Sequence, residues 1–308
     1  MSFADLVGHE PAIRLLKGQI ARDRLAQTYL FTGPEGIGKQ ALAAAFAAEL
    51  GCGPHDLLVV KSELESGDIG IDSVRAMEAW MSLTPYGGKR KAAVLDSAEK
   101  LTEESANACL KILEEPPARS LFILLASAAY RLPATLLSRC HRIRCSPQGI
   151  EKVSAALRER EGLDPAAARM LAICSGGRYG LALQFHKTGR LAELNEALDQ
   201  ILSALKRKEL ETPLARSTRK ELQEYLEWYA GWCRDLMVLS VGGDPDWVIH
   251  RDRLDELRSV VARSEATKQS SSAPAALISQ ADRAYEVREA IRRNASVKTA
   301  LSVLLSHG

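Results

Sequence analysis

Gly33-Pro34-Glu35-Gly36-Ile37-Gly38-Lys39-Gln40 is the stretch of this chain best suited to chemistry. Glycines allow backbone N–H groups to close around phosphate oxygens, and a lysine after the last of them can neutralise phosphate charge. The apolar run Thr28-Tyr29-Leu30-Phe31-Thr32 leads in, and an apolar helix signal over 40–50 leads out, so phosphate would meet the positive end of a helix. An unrelated structural turn is the competing reading. Where a Ser or Thr hydroxyl would ligate Mg²⁺ the chain has Gln40, and Glu35 adds negative charge inside the loop. Gly33, Gly36, Gly38, Lys39 and Gln40 thus form a degenerate nucleotide set, expected to be empty or weakly used.

Asp96 follows the apolar Ala92-Ala93-Val94-Leu95, a position from which a carboxylate can hold Mg²⁺ through water. The next residue is Ser97, which lacks the basicity to polarise an attacking water. Glu99 lies two residues further on, where a helix start can turn it elsewhere. Both acids also read plainly as helix-terminal groups tying down a loop. Arg139 differs. It sits in Ser138-Arg139-Cys140, after a short apolar helix signal over 132–137. A guanidinium offered across an interface stabilises charge on a transferring phosphoryl group, whereas in isolation it would form a surface ion pair. Loss of hydrolytic parts beside a retained arginine points to a subunit that assists a neighbour's ATP.

The elements that must position these residues alternate through the first half. Further strand signals are Leu57-Leu58-Val59-Val60, Leu121-Phe122-Ile123-Leu124-Leu125 and the surroundings of Ile143. Asp72 is a candidate cap for a helix carrying Val74, Met77 and Met81 on one face. Ala106, Cys109, Leu110 and Leu113 form another apolar stripe, ended by Pro116-Pro117. The fold class expected is α/β, a P-loop domain with a mostly parallel sheet over 1–146. A small helical unit over 147–190 follows, interrupted at Ser175-Gly176-Gly177, and then an all-α region over 191–308. Its helix signals cover 191–208, 216–241, 275–294 and 296–305, with a turn at Gly242-Gly243-Asp244-Pro245 and a serine-rich break over 269–274.

Composition narrows the rest. A net charge of +2 on 308 residues gives no whole-chain signature for nucleic acid or anionic membrane. No apolar run is long enough to span a bilayer and the start lacks a secretory pattern, so no membrane partner and a cytoplasmic location are expected. The six scattered cysteines offer no C-x-x-C knuckle and read as structural thiols, Cys140 and Cys145 being a weak zinc pair at most. Lys89-Arg90-Lys91 reads as a solvated turn rather than a DNA contact. Tyr225, Trp228, Tyr229 and Trp232, spaced three and four apart, read as helix packing rather than stacking faces for single strands.

Taken with Asn107-Ala108-Cys109-Leu110-Lys111-Ile112-Leu113-Glu114-Glu115-Pro116-Pro117 and Leu132-Pro133-Ala134-Thr135-Leu136-Leu137-Ser138-Arg139-Cys140, these motifs resemble the delta-prime subunits of the bacterial DNA polymerase III clamp loader. The resemblance is strongest through residue 145. It implies an AAA+ α/β domain, a helical lid and a C-terminal helical collar that joins five subunits. It also implies that Arg139 contacts ATP held by an adjacent gamma/tau subunit, while delta makes the main clamp-opening contact. The assembly would load the sliding clamp onto primer–template DNA. No cofactor is firmly implied for the chain itself. The four-cysteine zinc module of many relatives is not expected, since 49–56 is short and carries only Cys52. ATP-using members carry a sensor arginine where Gly177-Arg178-Tyr179-Gly180 ends in glycine, and Ser127, in the first-sensor region, reads as a buried loop hydroxyl. A gamma/tau-like ATPase and a non-catalytic DNA-binding adaptor are the alternatives.

Overall fold

The strand signals of the first half become β1 (Thr28–Thr32), β2 (Leu57–Val60), β3 (Lys91–Leu95), β4 (Ser120–Ala126) and β5 (His141–Arg144). They form one parallel sheet in the order β2-β3-β4-β1-β5. The computed structural model describes residues 2–62, 68–207, 214, 217–266, 273–292, 295, 296, 299 and 303. These fall into two units, one of 1–156 with 178–181, the other of 157–177 with 182–308.

In the first unit the sheet is covered on both faces, which is why β3 and β4 are buried at every position. Period-two alternation divides β1 between two cores. Tyr29 and Phe31 pack with Phe46 of α2 (Lys39–Glu49), the Tyr29 and Phe46 rings meeting edge-on at 4.9 Å. Leu30 joins Val74 and Met77 of α3 (Ile71–Met81), together with Cys109 and Ile112 of α4 (Glu103–Glu114). Thr102 caps α4 by accepting the Ser105 N–H at 3.2 Å, and the helix stops just ahead of the two prolines.

Some local expectations change. The cap of α3 is Gly70, while Asp72 lies in its first turn, where a carboxylate still meets the positive helix end. A helix not anticipated, α1 (Glu10–Ala21), opens with Pro11 in its first turn. The helix before Arg139 shortens to α5 (Ala134–Leu137), because Pro133 stands at its start. Lys91 is not part of a solvated turn: it is 4% exposed, donates to the Trp80 carbonyl at 2.8 Å and lies 4.1 Å over that indole. Burial pushes all six thiols up, to about 12 for Cys109 and Cys174 and about 11 for the other four, which fits structural thiols.

The second unit is helical. It contains α7 (Pro165–Cys174), α9 (Arg190–Arg207), α10 (Arg219–Ser240), the unanticipated α11 (Leu254–Ala266) and α12 (Ala273–Arg292); α6 (Ile150–Glu161) and α8 (Tyr179–Thr188) contribute residues to both units. The helix signal over 296–305 lies largely outside the described residues, as does most of the serine-rich break. Thr218 starts α10 with a capping box to Glu221. Trp228, Tyr229 and Trp232 are buried along α10, and the Trp228 N–H donates to Asn195 Oδ1 at 3.1 Å.

Trp228 and Trp232 flank His250, their ring centroids lying 4.3 and 5.5 Å from its own. Asp235, wholly buried, accepts from the backbone N–H groups of Ile249 and His250 and from His250 Nδ1, at 2.8–2.9 Å. One carboxylate thereby ties the chain after the Gly242 turn to α10. Asp235→Ala would strand those three donors, and we expect a loss of about 3–5 kcal/mol. Chemical denaturation checks this, with near-native stability as the outcome that contradicts it.

Candidate functional site

β3, β4 and β1 are adjacent and parallel, so Asp96, Ser127 and Gly33, which follow them, emerge along one sheet edge. Thr32 pairs with Ala126, and the Gly33 N–H donates to the Ala126 carbonyl at 3.1 Å. A Cβ on Gly33 would stand 2.3 Å from the Cys145 carbonyl oxygen, so the close approach requires glycine there. Gly38, at φ 106°, starts α2.

Lys39 does not point its charge into an open cradle. It is 9% exposed, and its ammonium donates to the carbonyls of Gly33 (2.6 Å) and Pro34 (3.1 Å) and to Ser127 Oγ (3.2 Å). Burial lowers its pKa, while Glu99 above all, then Cys145, Asp96 and Glu35, work in the opposite direction. Ser127 is exposed rather than buried, and it belongs to the site. Its N–H donates to Glu99 Oε1 at 3.1 Å. Glu99 therefore turns inward: Ser97 adopts φ 58°, and the single turn Ala98–Lys100 delivers the carboxylate to Ser127. Its Oε2 is buried with no hydrogen-bond partner among the described residues.

The tip of the loop is engaged as well. The Gly36 carbonyl accepts the Leu181 N–H at 3.0 Å, and the Glu35 carbonyl accepts Arg178 Nη1 at 3.3 Å. A Cβ on Gly180 would lie 2.8 Å from the Gly36 oxygen, so glycine in place of a sensor arginine lets this segment approach. His9 is buried beside it, with Nε2 2.9 Å from the Ile37 carbonyl; Nε2 must carry the proton there. The Ile37 N–H turns back to the Pro34 carbonyl at 3.4 Å. Gln40 is exposed. This donor set does not match a magnesium triphosphate: the lysine is spent on carbonyls, an amide faces solvent in place of the hydroxyl, and Ser97 follows Asp96.

Arg139 stands apart from all of these groups. At the end of α5, Ser138 Oγ and Arg139 Nη1 both donate to the Thr135 carbonyl at 3.0 Å, and Cys140 Sγ donates to the Leu136 carbonyl at 3.1 Å. All three side chains of the motif therefore turn back onto carbonyls of the helix's last turn. Arg139 Nη2 also meets Glu114 Oε1, the last residue of α4, at 2.9 Å. The two side chains are 40% and 55% exposed, so the pair adds at most about 1 kcal/mol to stability. Neither partner belongs to the Gly33 loop. Among the engaged residues, Glu114, Leu181 and His9 were not singled out from sequence. Of these only Glu114 carried a signal, its place just ahead of two prolines.

The family described as DNA polymerase III, delta subunit matches residues 8–56 and 53–149. DNA polymerase III subunit delta′ of Pseudomonas aeruginosa is 30% identical over 253 residues, which cover 73% of this chain and 76% of that protein. DNA polymerase III subunit tau of Salmonella typhimurium is 27% identical over 227 residues, covering 66% of this chain; the match spans only 35% of that relative. A solved gamma subunit-related protein of Thermotoga maritima aligns over 94% of this chain and 97% of its own at 18% identity and a TM-score of 0.48.

The closed loop has a consequence for stability. Gly180→Ala drives a methyl against the Gly36 oxygen and should cost about 1–3 kcal/mol. Gly149→Ala, where a Cβ meets nothing within 4 Å, serves as the control. Thermal unfolding compares the two, and equal midpoints would contradict the contact.

Proposed function

The chain belongs to the family of DNA polymerase III clamp-loader subunits, and from that premise we propose that it is a delta-prime-like member whose Arg139 completes ATP sites housed in neighbouring gamma/tau-type subunits. On this reading it is a structural subunit of an assembly that loads a sliding clamp onto primed DNA. Residues 147–190 act as the lid and 191–308 as the collar through which subunits join.

One observation carries the proposal: the arginine is held at an exposed helix corner, while the chain's own lysine is turned into its loop. A lysine engaged by two carbonyls must break both bonds to reach a phosphate, which penalises nucleotide binding. Gln40 and Ser97 remove the usual magnesium ligand and the water-polarising acid as well. Weak or absent nucleotide binding by this chain follows. The guanidinium has no such handicap. A phosphoryl group gathering charge in its transition state is the partner to which such a planar fork of donors is suited.

The decisive comparison uses the loader reconstituted with gamma/tau and delta subunits, clamp and primed DNA. Arg139→Ala should leave assembly intact and lower ATP turnover at one partner site by about 10²–10³-fold. Unchanged turnover at every site would exclude this role for Arg139. Separately, the purified chain should neither hydrolyse ATP nor bind it detectably in calorimetry. Measurable turnover there would favour a gamma/tau-like ATPase.

A further inference from the structure

We propose that Glu114 is the positioning residue for Arg139, holding its guanidinium in the orientation in which it is offered to a neighbour; this rests on the interface reading of Arg139 given above. Two motifs 25 residues apart meet here. Arg139 Nη1 is held by the Thr135 carbonyl and Nη2 by Glu114 Oε1, so the guanidinium plane is caught at two points by two different helices. A guanidinium has five N–H donors, and two are engaged among the described residues. The others remain for an incoming anion without breaking either contact.

The support for Glu114 is rigid. Cys109, Ile112 and Leu113, on the turns just before it, are buried in the sheet's second core, and α4 packs on α5. Beyond it, Pro116 restricts Glu115 and removes any continuation of the helix. The carboxylate therefore projects from a fixed point, against the same α5 whose Leu136 is wholly buried. An arginine left alone samples many rotamers, and that freedom must be lost before it can act. An exposed pair contributes little to folding, so its physical effect is on orientation. The two motifs then act as one device: one ends a helix on an acid, the other ends a helix on the arginine that this acid holds.

The test uses the full chain in the reconstituted loader, with Glu114→Ala, Glu114→Gln, Arg139→Ala and the Glu114→Ala/Arg139→Ala double variant. Assembly should be unchanged in all four. Glu114→Ala should lower kcat at the affected site by about tenfold with KM unaltered. Glu114→Gln, which keeps an acceptor oxygen, should recover part of that loss, and the double variant should be no worse than Arg139→Ala alone. Native turnover in Glu114→Ala beside an impaired Arg139→Ala would overturn the positioning role alone, as would losses that multiply. If Arg139→Ala itself has no effect, the interface reading fails instead. Side-chain ¹⁵N relaxation of Arg139 in the isolated chain then still decides the orientation claim: restricted motion released by Glu114→Ala is expected, and a freely moving native Arg139 would refute it.

Discussion

An ammonium group satisfied by the carbonyls of its own loop is the constraint around which the first unit is arranged. Lys39 is nearly buried, and a buried cation must be compensated. Gly33, Pro34 and Ser127 supply three acceptors, and Glu99 stands foremost among the anions nearby. Gly33 and Pro34 follow β1, Ser127 follows β4 and Glu99 follows β3, so the contact depends on the strand order. Satisfied this way, Lys39 ties the two ends of its own loop together.

The arginine corner follows the opposite logic. Its charge is kept at the surface, and the residues around it serve to define its direction. Ser138 and Cys140 are short side chains whose hydroxyl and thiol donate to carbonyls at the end of α5. The unit therefore has one cation turned inward and compensated, and another held outward at two points. The two cations of this unit are thus held by opposite means, one by burial among acceptors and the other by two contacts at the surface.

The second unit relies on a different buried charge. Asp235 satisfies two backbone N–H groups and an imidazole N–H at once, and two indoles enclose the ring. Such a fully occupied carboxylate orders an irregular stretch that hydrophobic packing alone would leave undirected. The aromatic residues of α10 thereby act as packing elements.

Sequence by itself determined the order of strands and helices from β1 to β5, the loop that follows β1, the loss at Gln40 and Ser97, and the motif around Arg139. Those features are local: they rest on apolar periodicity, on proline and glycine, and on side-chain chemistry within a few neighbours. It missed α1 and α11, whose apolar positions are mixed with charges. Only the tertiary structure decided that Ser127 and Glu99 join Lys39, that Gly180 lets a backbone segment reach Gly36, and that Glu114 meets Arg139. Those pairings join residues far apart in the chain, several through backbone N–H and C=O groups that every residue carries. A group common to all residues leaves no mark in a sequence, and its partner is set by how strands and helices pack.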